Sequence, residues 1–235
     1  MSGRRALLLG GTGHLGSAVL AQLAARGVSG VFTFHSQTER AESLAEQHGF
    51  RAVPVDLRDA AALSSLFASL EQEEFVPDLF IHCAAISRLL PLAEISLALW
   101  QQTVAVNAQS AFLACQWLGD RMHKGGSIVL VGALDRTQSL PLPVHFAATQ
   151  GMLSAMVMAL GHELGPRGIL INLVSLGMLD GGIATQLDER RRTDYQHFSA
   201  LRRVGEAREA AQVICWLALE NHYINGKTLA ANGGI

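Results

Sequence analysis

Two groups of residues in this chain are of types that could do chemistry. The first is a set of glycines in RRALLLGGTGHLGSAVLAQL, residues 4–23, where Gly10, Gly11, Gly13 and Gly16 break an apolar run. Residues at helical spacing follow. A glycine turn between strand and helix brings the unpaired amides of a helix N-terminus close to a phosphate, with no side chain in the way. The same turn also serves tight strand–helix packing, and its spacing alone does not choose between the two uses. The second group is four histidines, His14, His35, His82 and His145, each near the carboxyl end of an expected strand, on the ligand side. Imidazoles there can exchange protons, and His145 with Asp135 is a candidate acid–base pair. Scattered loop histidines with no common task are the plainer reading. Cys83, Cys115 and Cys215 are too widely spaced for a zinc pattern or a disulfide framework, so no metal is expected and a reducing compartment is.

These residues need a scaffold, and the hydrophobic pattern predicts one. Strands are expected at 6–9, 30–34, 52–55, 79–83, 127–131, 169–174 and 227–230. Helices are expected after the glycine turn (Leu15, Val19, Leu20 and Leu23 on one face), at 39–48, from an Asp59 cap to about 74, near 97–122, at about 146–164 and at 207–219. A loop marked by Pro141 and Pro143 precedes the fifth of these, and 185–203 is polar and helix-like. Such alternation predicts an α/β fold: a Rossmann-like, doubly wound parallel sheet of about seven strands, with ligands beyond the strands' carboxyl ends. With 235 residues, 49% hydrophobic and 16% charged, the chain reads as one domain, 1–235, with a large core and apolar surface to spare for subunit contacts. A net charge of −2 and no basic face argue against nucleic acid, and the arginine run at 190–192 reads as a solvated helix face. No signal peptide and no apolar run long enough to cross a bilayer are evident, so a cytoplasmic protein away from membranes is expected.

A family resemblance rests on several segments taken in order. They are the glycine turn, Val55-Asp56-Leu57, Cys83-Ala84-Ala85, Val106-Asn107, GGSIVLVG at 125–132, RGILINLVSLG at 167–177, and the closing LRRVGEAREAAQVICWLA and NGKTLAANGGI. Together, over essentially all 235 residues, they resemble the short-chain dehydrogenase/reductase family, especially its 3-oxoacyl-carrier-protein reductase-like group. The resemblance implies a dinucleotide site. Gly10, Gly13 and Gly16 match the GxxGxxG spacing of the family's extended and atypical members, while His14 stands where reductase-like members carry a glycine. Asp56 falls at the acidic contact to the adenine amine, with a plain helix-start charge as the alternative. Ala84 falls in the cofactor-contacting step after strand four. No acid follows strand two to hold a ribose 2′-hydroxyl; His35 and Ser36 stand where NADP-preferring members carry a basic and a small polar residue. NADP(H) is therefore favoured over NAD(H), if a dinucleotide binds at all.

At the reacting end the resemblance breaks off. Family members reduce carbonyls with a serine on strand five and a Tyr-x-x-x-Lys pair on the next helix. The tyrosine gives the proton, and the lysine lowers its pKa and holds the nicotinamide ribose. Laid on this sequence, the three positions are Ala133, Phe146 and Gln150: no hydroxyl, no ionisable proton and no charge. The chain's two tyrosines, Tyr195 and Tyr223, and two lysines, Lys124 and Lys227, are on other segments. Asn107 alone matches, at the helix asparagine that anchors a proton-relay water. The family's Pro-Gly step is Leu176-Gly177 here, and Gly181 replaces a threonine that contacts the nicotinamide carboxamide. His145 is the substitute acid–base candidate, aimed about 100° from Phe146 if both are helical.

The assembly surface matches better. In the family, the helices after strands four and five form a four-helix bundle between subunits, and the last helix and strand form a second interface. FAATQGMLSAMVMALGHEL, 146–164, has the small residues and methionines that suit close helix approach. The resemblance thus implies a catalytically silent member that forms a homo- or hetero-oligomer, with itself or with an active paralogue acting on acyl thioesters. Two alternatives stay open: an NADP(H)-linked 3-oxoacyl-thioester reductase or non-redox enzyme with altered acid–base groups, and a dinucleotide-binding regulator. Residues 181–204 stand at the family's substrate lid, where Tyr195, Phe198 and the arginines would meet an acyl carrier or a CoA phosphate.

Overall fold

A computed structural model describes residues 3–133 and 142–235. Among these residues seven strands form one parallel sheet: β1 (Arg5–Leu9), β2 (Ser29–Phe34), β3 (Phe50–Pro54), β4 (Leu79–His82), β5 (Ser127–Gly132), β6 (Leu170–Leu176) and β7 (Lys227–Ala231). Their spatial order is β3-β2-β1-β4-β5-β6-β7. The helices between them are α1 (His14–Ala24), α2 (Thr38–His48), α3 (Ala60–Gln72), α4 (Leu97–Val104), α5 (Ser110–Arg121), α6 (Val144–Leu164), α7 (Glu189–Phe198) and α8 (Ala207–Leu219). The expected doubly wound sheet is what the chain forms.

Alternating side chains divide the core in two, because successive strand residues point to opposite faces. Leu7, Leu9, Phe80, Ile128, Leu130, Ile171 and Leu173 pack under α3, α5 and α6, where the Phe67 and Trp117 rings stack with centroids 4.9 Å apart. Ala6, Leu8, Phe32, Ile81, Val129 and Val174 pack on the other face against Val19, Leu20 and Leu23 of α1 and Ile214 and Leu217 of α8. Of the apolar face expected on α1, Leu15 is only half-buried and Gly16 takes its place in the interior.

Strand order reverses between β1 and β4, whose last residues, Leu9 and His82, are paired. A crevice opens past the carboxyl ends at such a reversal, and the glycine turn and Cys83–Ala85 border it.

Several elements depart from the expected bounds. β3 begins at Phe50, directly after Gly49, because Gly49 closes α2 with a φ of 68° and Phe50 is already core. The segment at 97–121 is continuously helical but contains a π-turn at Ala105–Gln109, which carries Asn107. The polar stretch 185–203 is not one helix: a 3₁₀ turn at Gly182–Gln186 precedes α7, which is capped by the Asp188 carboxylate accepting from the Arg191 amide at 2.8 Å. Contrary to the sequence expectation, α6 and its following turn, Val144–Arg167, are long and apolar enough by length and composition to cross a bilayer. Here that helix lies on β5, β6 and β7 with Leu153 and Val157 against the sheet, while Val144, Met152 and Met158 are exposed. Asp135 and Pro141 lie outside the described residues.

Candidate functional site

The glycine turn is shaped first by its own packing. A Cβ on Gly16 would lie 2.1 Å from the Gly10 carbonyl oxygen, and one on Gly10, whose φ is 87°, would lie 2.9 Å from the Ala84 backbone. These two glycines let β1, α1 and the end of β4 meet, so the ligand-clearance reason expected for them is not the first cause. Ala84 serves the same contact. Gly13 is the N-cap of α1, with no side chain capping the helix and no carboxylate in its first turn, which leaves first-turn amides directed at the crevice.

On the β2–β3 side the crevice has a charged shelf. His35 and Ser36 are exposed directly past β2. Arg58 reaches them from beyond β3, its Nη2 lying 3.2 Å from His35 Nε2. Asp56 holds Arg58 in place, accepting from its backbone amide at 2.9 Å and from Nη2 at 2.7 Å. These bonds from Arg58 pull the Asp56 carboxyl down to about 2. Asp56 is not the helix cap; Asp59 is, accepting from the Ala61 amide at 2.8 Å. Arg40 of α2 completes the shelf by donating to Ser17 of α1 at 3.2 Å. Neither arginine was singled out by the motifs. Their signal was Arg58 two residues past Asp56, but only the folded loop brings it to His35.

On the β4–β6 side the crevice deepens into a cavity of about 810 Å³. Ile86, Leu142, Phe146, Met178, Leu179 and Ile183 form much of its wall, and Arg190, Arg191, Asp188 and Asp194 lie at the α7 end. Ala133 and Gln150 also line it, but their polar groups are spent on each other: Gln150 Oε1 accepts from the Ala133 amide at 3.0 Å. Gln150 is buried, and its Nε2 donates to Thr149 at 3.3 Å. Phe146 is buried beside them. No lysine lines the cavity among the described residues. Tyr195 does line it, yet its hydroxyl donates to the Asn232 carbonyl at 2.8 Å, and burial raises its pKa. Tyr195 is therefore a strut under the lid region rather than a group free to meet an acyl carrier; Phe198 is exposed.

The histidines separate. His82 is buried beneath the strand end; its Nε2 lies 2.7 Å from Ser110 Oγ, whose hydroxyl donates to Val106, so the imidazole is the donor. Burial lowers its pKa to about 4, and it is a neutral core residue. His145 is buried too, accepting from the Arg88 amide at 3.4 Å, and burial lowers its pKa. It is not among the cavity-lining residues, which corrects its expected place on the ligand side. His35 belongs to the shelf. Only His14 lines the cavity, and it donates or accepts across it, with Nε2 2.7 Å from Asp180 Oδ1.

Asn107 is almost fully occupied. Its Oδ1 accepts from the Ile86 amide at 2.8 Å, and its Nδ2 donates to the Ile86 carbonyl at 2.9 Å and to Thr149 Oγ1 at 3.2 Å. It clamps the loop after β4 to α6, and it does not line the cavity. Among the described residues, no three His, Cys, Asp or Glu side chains gather as metal ligands.

Comparison with known proteins gives this crevice a lineage. A family model described as enoyl-(acyl carrier protein) reductase matches residues 13–235. The chain belongs to the short-chain dehydrogenase/reductase family. It is 28% identical to a 3-oxoacyl-[acyl-carrier-protein] reductase of Aquifex aeolicus, an alignment covering 100% of this chain and 98% of that protein. It is 30% identical to a D-threitol dehydrogenase of Mycolicibacterium smegmatis over 74% of this chain and 70% of the other. Among solved structures, a blue fluorescent protein from a metagenomic library in complex with NADPH superposes with a TM-score of 0.92 at 28% identity, covering 99% of this chain and 98% of that one.

The family implies a nicotinamide dinucleotide, NADPH in the neighbour just named, and the two sides of the crevice fit it unequally. The uncapped α1 amides and the His35–Arg58 shelf suit a pyrophosphate and a phosphorylated ribose. The β4–β6 side does not suit the nicotinamide end: the imidazole of His14 lies against Gly181, where a Cβ would come within 2.6 Å of the ring.

Proposed function

We propose that this chain is a catalytically silent member of its family, an assembling subunit that partners itself or an active paralogue working on acyl thioesters. The observation that carries this reading is the Gln150–Ala133 bond at the inner wall of the cavity. Where a reductase of this family needs a charged lysine and a serine hydroxyl, an uncharged amide closes on a backbone N–H, next to a phenylalanine. Carbonyl reduction needs a proton donor placed within hydrogen-bond reach of the substrate oxygen. Ala133, Phe146 and Gln150 supply none. His145 and Asn107, the remaining acid–base candidates, are buried away from the cavity lining, each accepting from a backbone amide.

Exposed apolar residues on the α5 and α6 helices favour assembly. Phe112, Val144, Met152 and Met158 are each more than 40% exposed, a high share for large apolar side chains on one side of a protein. Trp216 on α8 is similarly open. The likeness to 3-oxoacyl-[acyl-carrier-protein] reductases supports acyl thioesters as the partner's substrate class.

The decisive experiment combines turnover with co-purification. Expected are no reduction of an acetoacetyl thioester by NADPH with the purified chain alone, and recovery from its native host of an oligomer containing either this chain only or a second family member. Turnover at ordinary enzyme rates overturns the reading, as does a monomer in both settings. A nucleotide-responsive regulator is a second reading, favoured by the charged shelf at His35, Arg58 and Arg40. It requires that the chain bind a phosphorylated adenosine.

A further inference from the structure

His14 and Gly181 look like two unrelated changes in the sequence, and in the fold they are one. The imidazole rests on the Gly181 backbone, with Cε1, Nε2 and Nδ1 all within 2.8 Å of where a Cβ at 181 would be. Any side chain at 181 therefore competes with His14 for the same space. The ring is held by its bond to Asp180, and Asp180 is itself fixed. Its Oδ1 also accepts from the Ala207 amide, the first residue of α8, at 3.2 Å, and its own amide donates to Gly205 at 2.9 Å. The bond to His14 is the leading cause holding the Asp180 carboxyl below the usual range. The contact thus ties the first turn of α1 to the loop after β6, across the crevice.

The consequence is geometric. Adenosine-side charges lie past β2 and β3, so a dinucleotide draped over the α1 N-terminus must send its second nucleoside the other way, toward β4–β6. That route runs between the first turn of α1 and Asp180–Gly182, the two walls that His14 joins. We propose that His14 is a latch excluding the nicotinamide half of a dinucleotide, so that the cleft binds such a ligand by its 2′-phosphoadenosine half alone. The inference rests on the chain's cleft being a nucleotide site, and not on the absence of turnover.

Calorimetry and fluorescence test it on the intact chain. NADPH and adenosine 2′,5′-bisphosphate are titrated against the wild type, His14→Gly and Asp180→Ala. The wild type is expected to bind the two within about threefold of each other and to leave NADPH emission unshifted, because the nicotinamide gains no contacts. His14→Gly is expected to tighten NADPH by roughly tenfold, leave the bisphosphate unchanged and shift the emission to the blue. Asp180→Ala should give the same change to a lesser degree, with a thermal melt confirming that α8 stays folded. Wild-type NADPH binding about tenfold tighter than the bisphosphate, with shifted emission, overturns the latch. So does failure of all three proteins to bind either ligand. NADPH bound whole but never turned over would sink the latch and leave the silent-subunit reading standing; turnover with NADPH would sink both, and a monomer in both settings would sink the silent-subunit reading alone.

Discussion

The two sides of the crevice differ in how they use their polar groups. On the β2–β3 shelf, His35, Ser36, Arg40 and Arg58 are exposed, and even the Arg58 guanidinium that Asp56 holds stays open to solvent, where a ligand could displace water. On the β4–β6 side, Asn107, Thr149, Gln150, His82 and His145 are buried, and each bonds to backbone or to a neighbouring side chain, the second ring nitrogen of each histidine apart. Polar groups held ready for a ligand must stay solvated until it arrives, because burying them unpaired is costly. Groups that hold a fold together must be paired from the start. By that criterion the shelf stays open to a ligand, while the polar groups behind the cavity wall belong to the structure.

The contrast predicts that substitutions on the cavity side change stability and those on the shelf change binding. The sharpest way to break it is Gln150→Lys. An ammonium at this buried position, without an anionic partner, should destabilise the fold by about 3–5 kcal/mol, seen as a lower midpoint in urea. A fully stable variant would mean the cavity wall still accepts a catalytic charge. Acid offers a second test through His82, whose folded pKa of about 4 lies below its ordinary value of 6.5. Above pH 6.5 both folded and unfolded forms are neutral, and this group has no effect. As pH falls toward 4 the unfolded chain takes up the proton first, so stability is lost across that window, in all by about 3 kcal/mol. His82→Gln should remove that part of the slope, and an unchanged pH profile would show that His82 is not its source.

Asn107→Ala leaves the Ile86 amide and carbonyl without their partner and should cost roughly 2 kcal/mol in thermal or urea unfolding. A variant as stable as the wild type would argue that the asparagine is kept for a ligand instead. The smallest stability effect belongs to Arg58→Ala, where the shelf is expected to answer in affinity. NADPH binding should weaken by roughly tenfold while NADH binding and the unfolding midpoint stay in place, since only the former carries the 2′-phosphate. Equal weakening of both nucleotides would remove the phosphate preference.

Much of the architecture could be read directly from residue order. Strand alternation, the Asp59 cap and the full extent of α8 follow from periodicity and capping chemistry, which act over a few residues. The starts of β3 and α7 are not in the local pattern for the same reason in reverse: Phe50 is decided by what it packs on and the Asp188 cap by where the chain turns. The site was less legible. Motif order placed Gly13 at the start of α1 and His35 and Asp56 past β2 and β3, where the structure has them. It could not separate His35 from His145, because residue type does not record exposure: one faces water directly past β2, and the other, in the first turn of α6, is buried against the loop after β4.

By itself, the sequence determined the sheet, its winding and the absence of a hydroxyl, phenol and ammonium at 133, 146 and 150, since these depend on local pattern and residue identity. Tertiary structure decided what the substitutes do. The Gln150–Ala133 bond joins residues 17 positions apart, and the His14–Asp180 contact joins residues 166 apart. Side chains so distant meet only after the sheet has brought the strand ends to one edge, and no local signal records the space they share. A histidine in the glycine turn and a glycine in the lid region became a single feature through that packing.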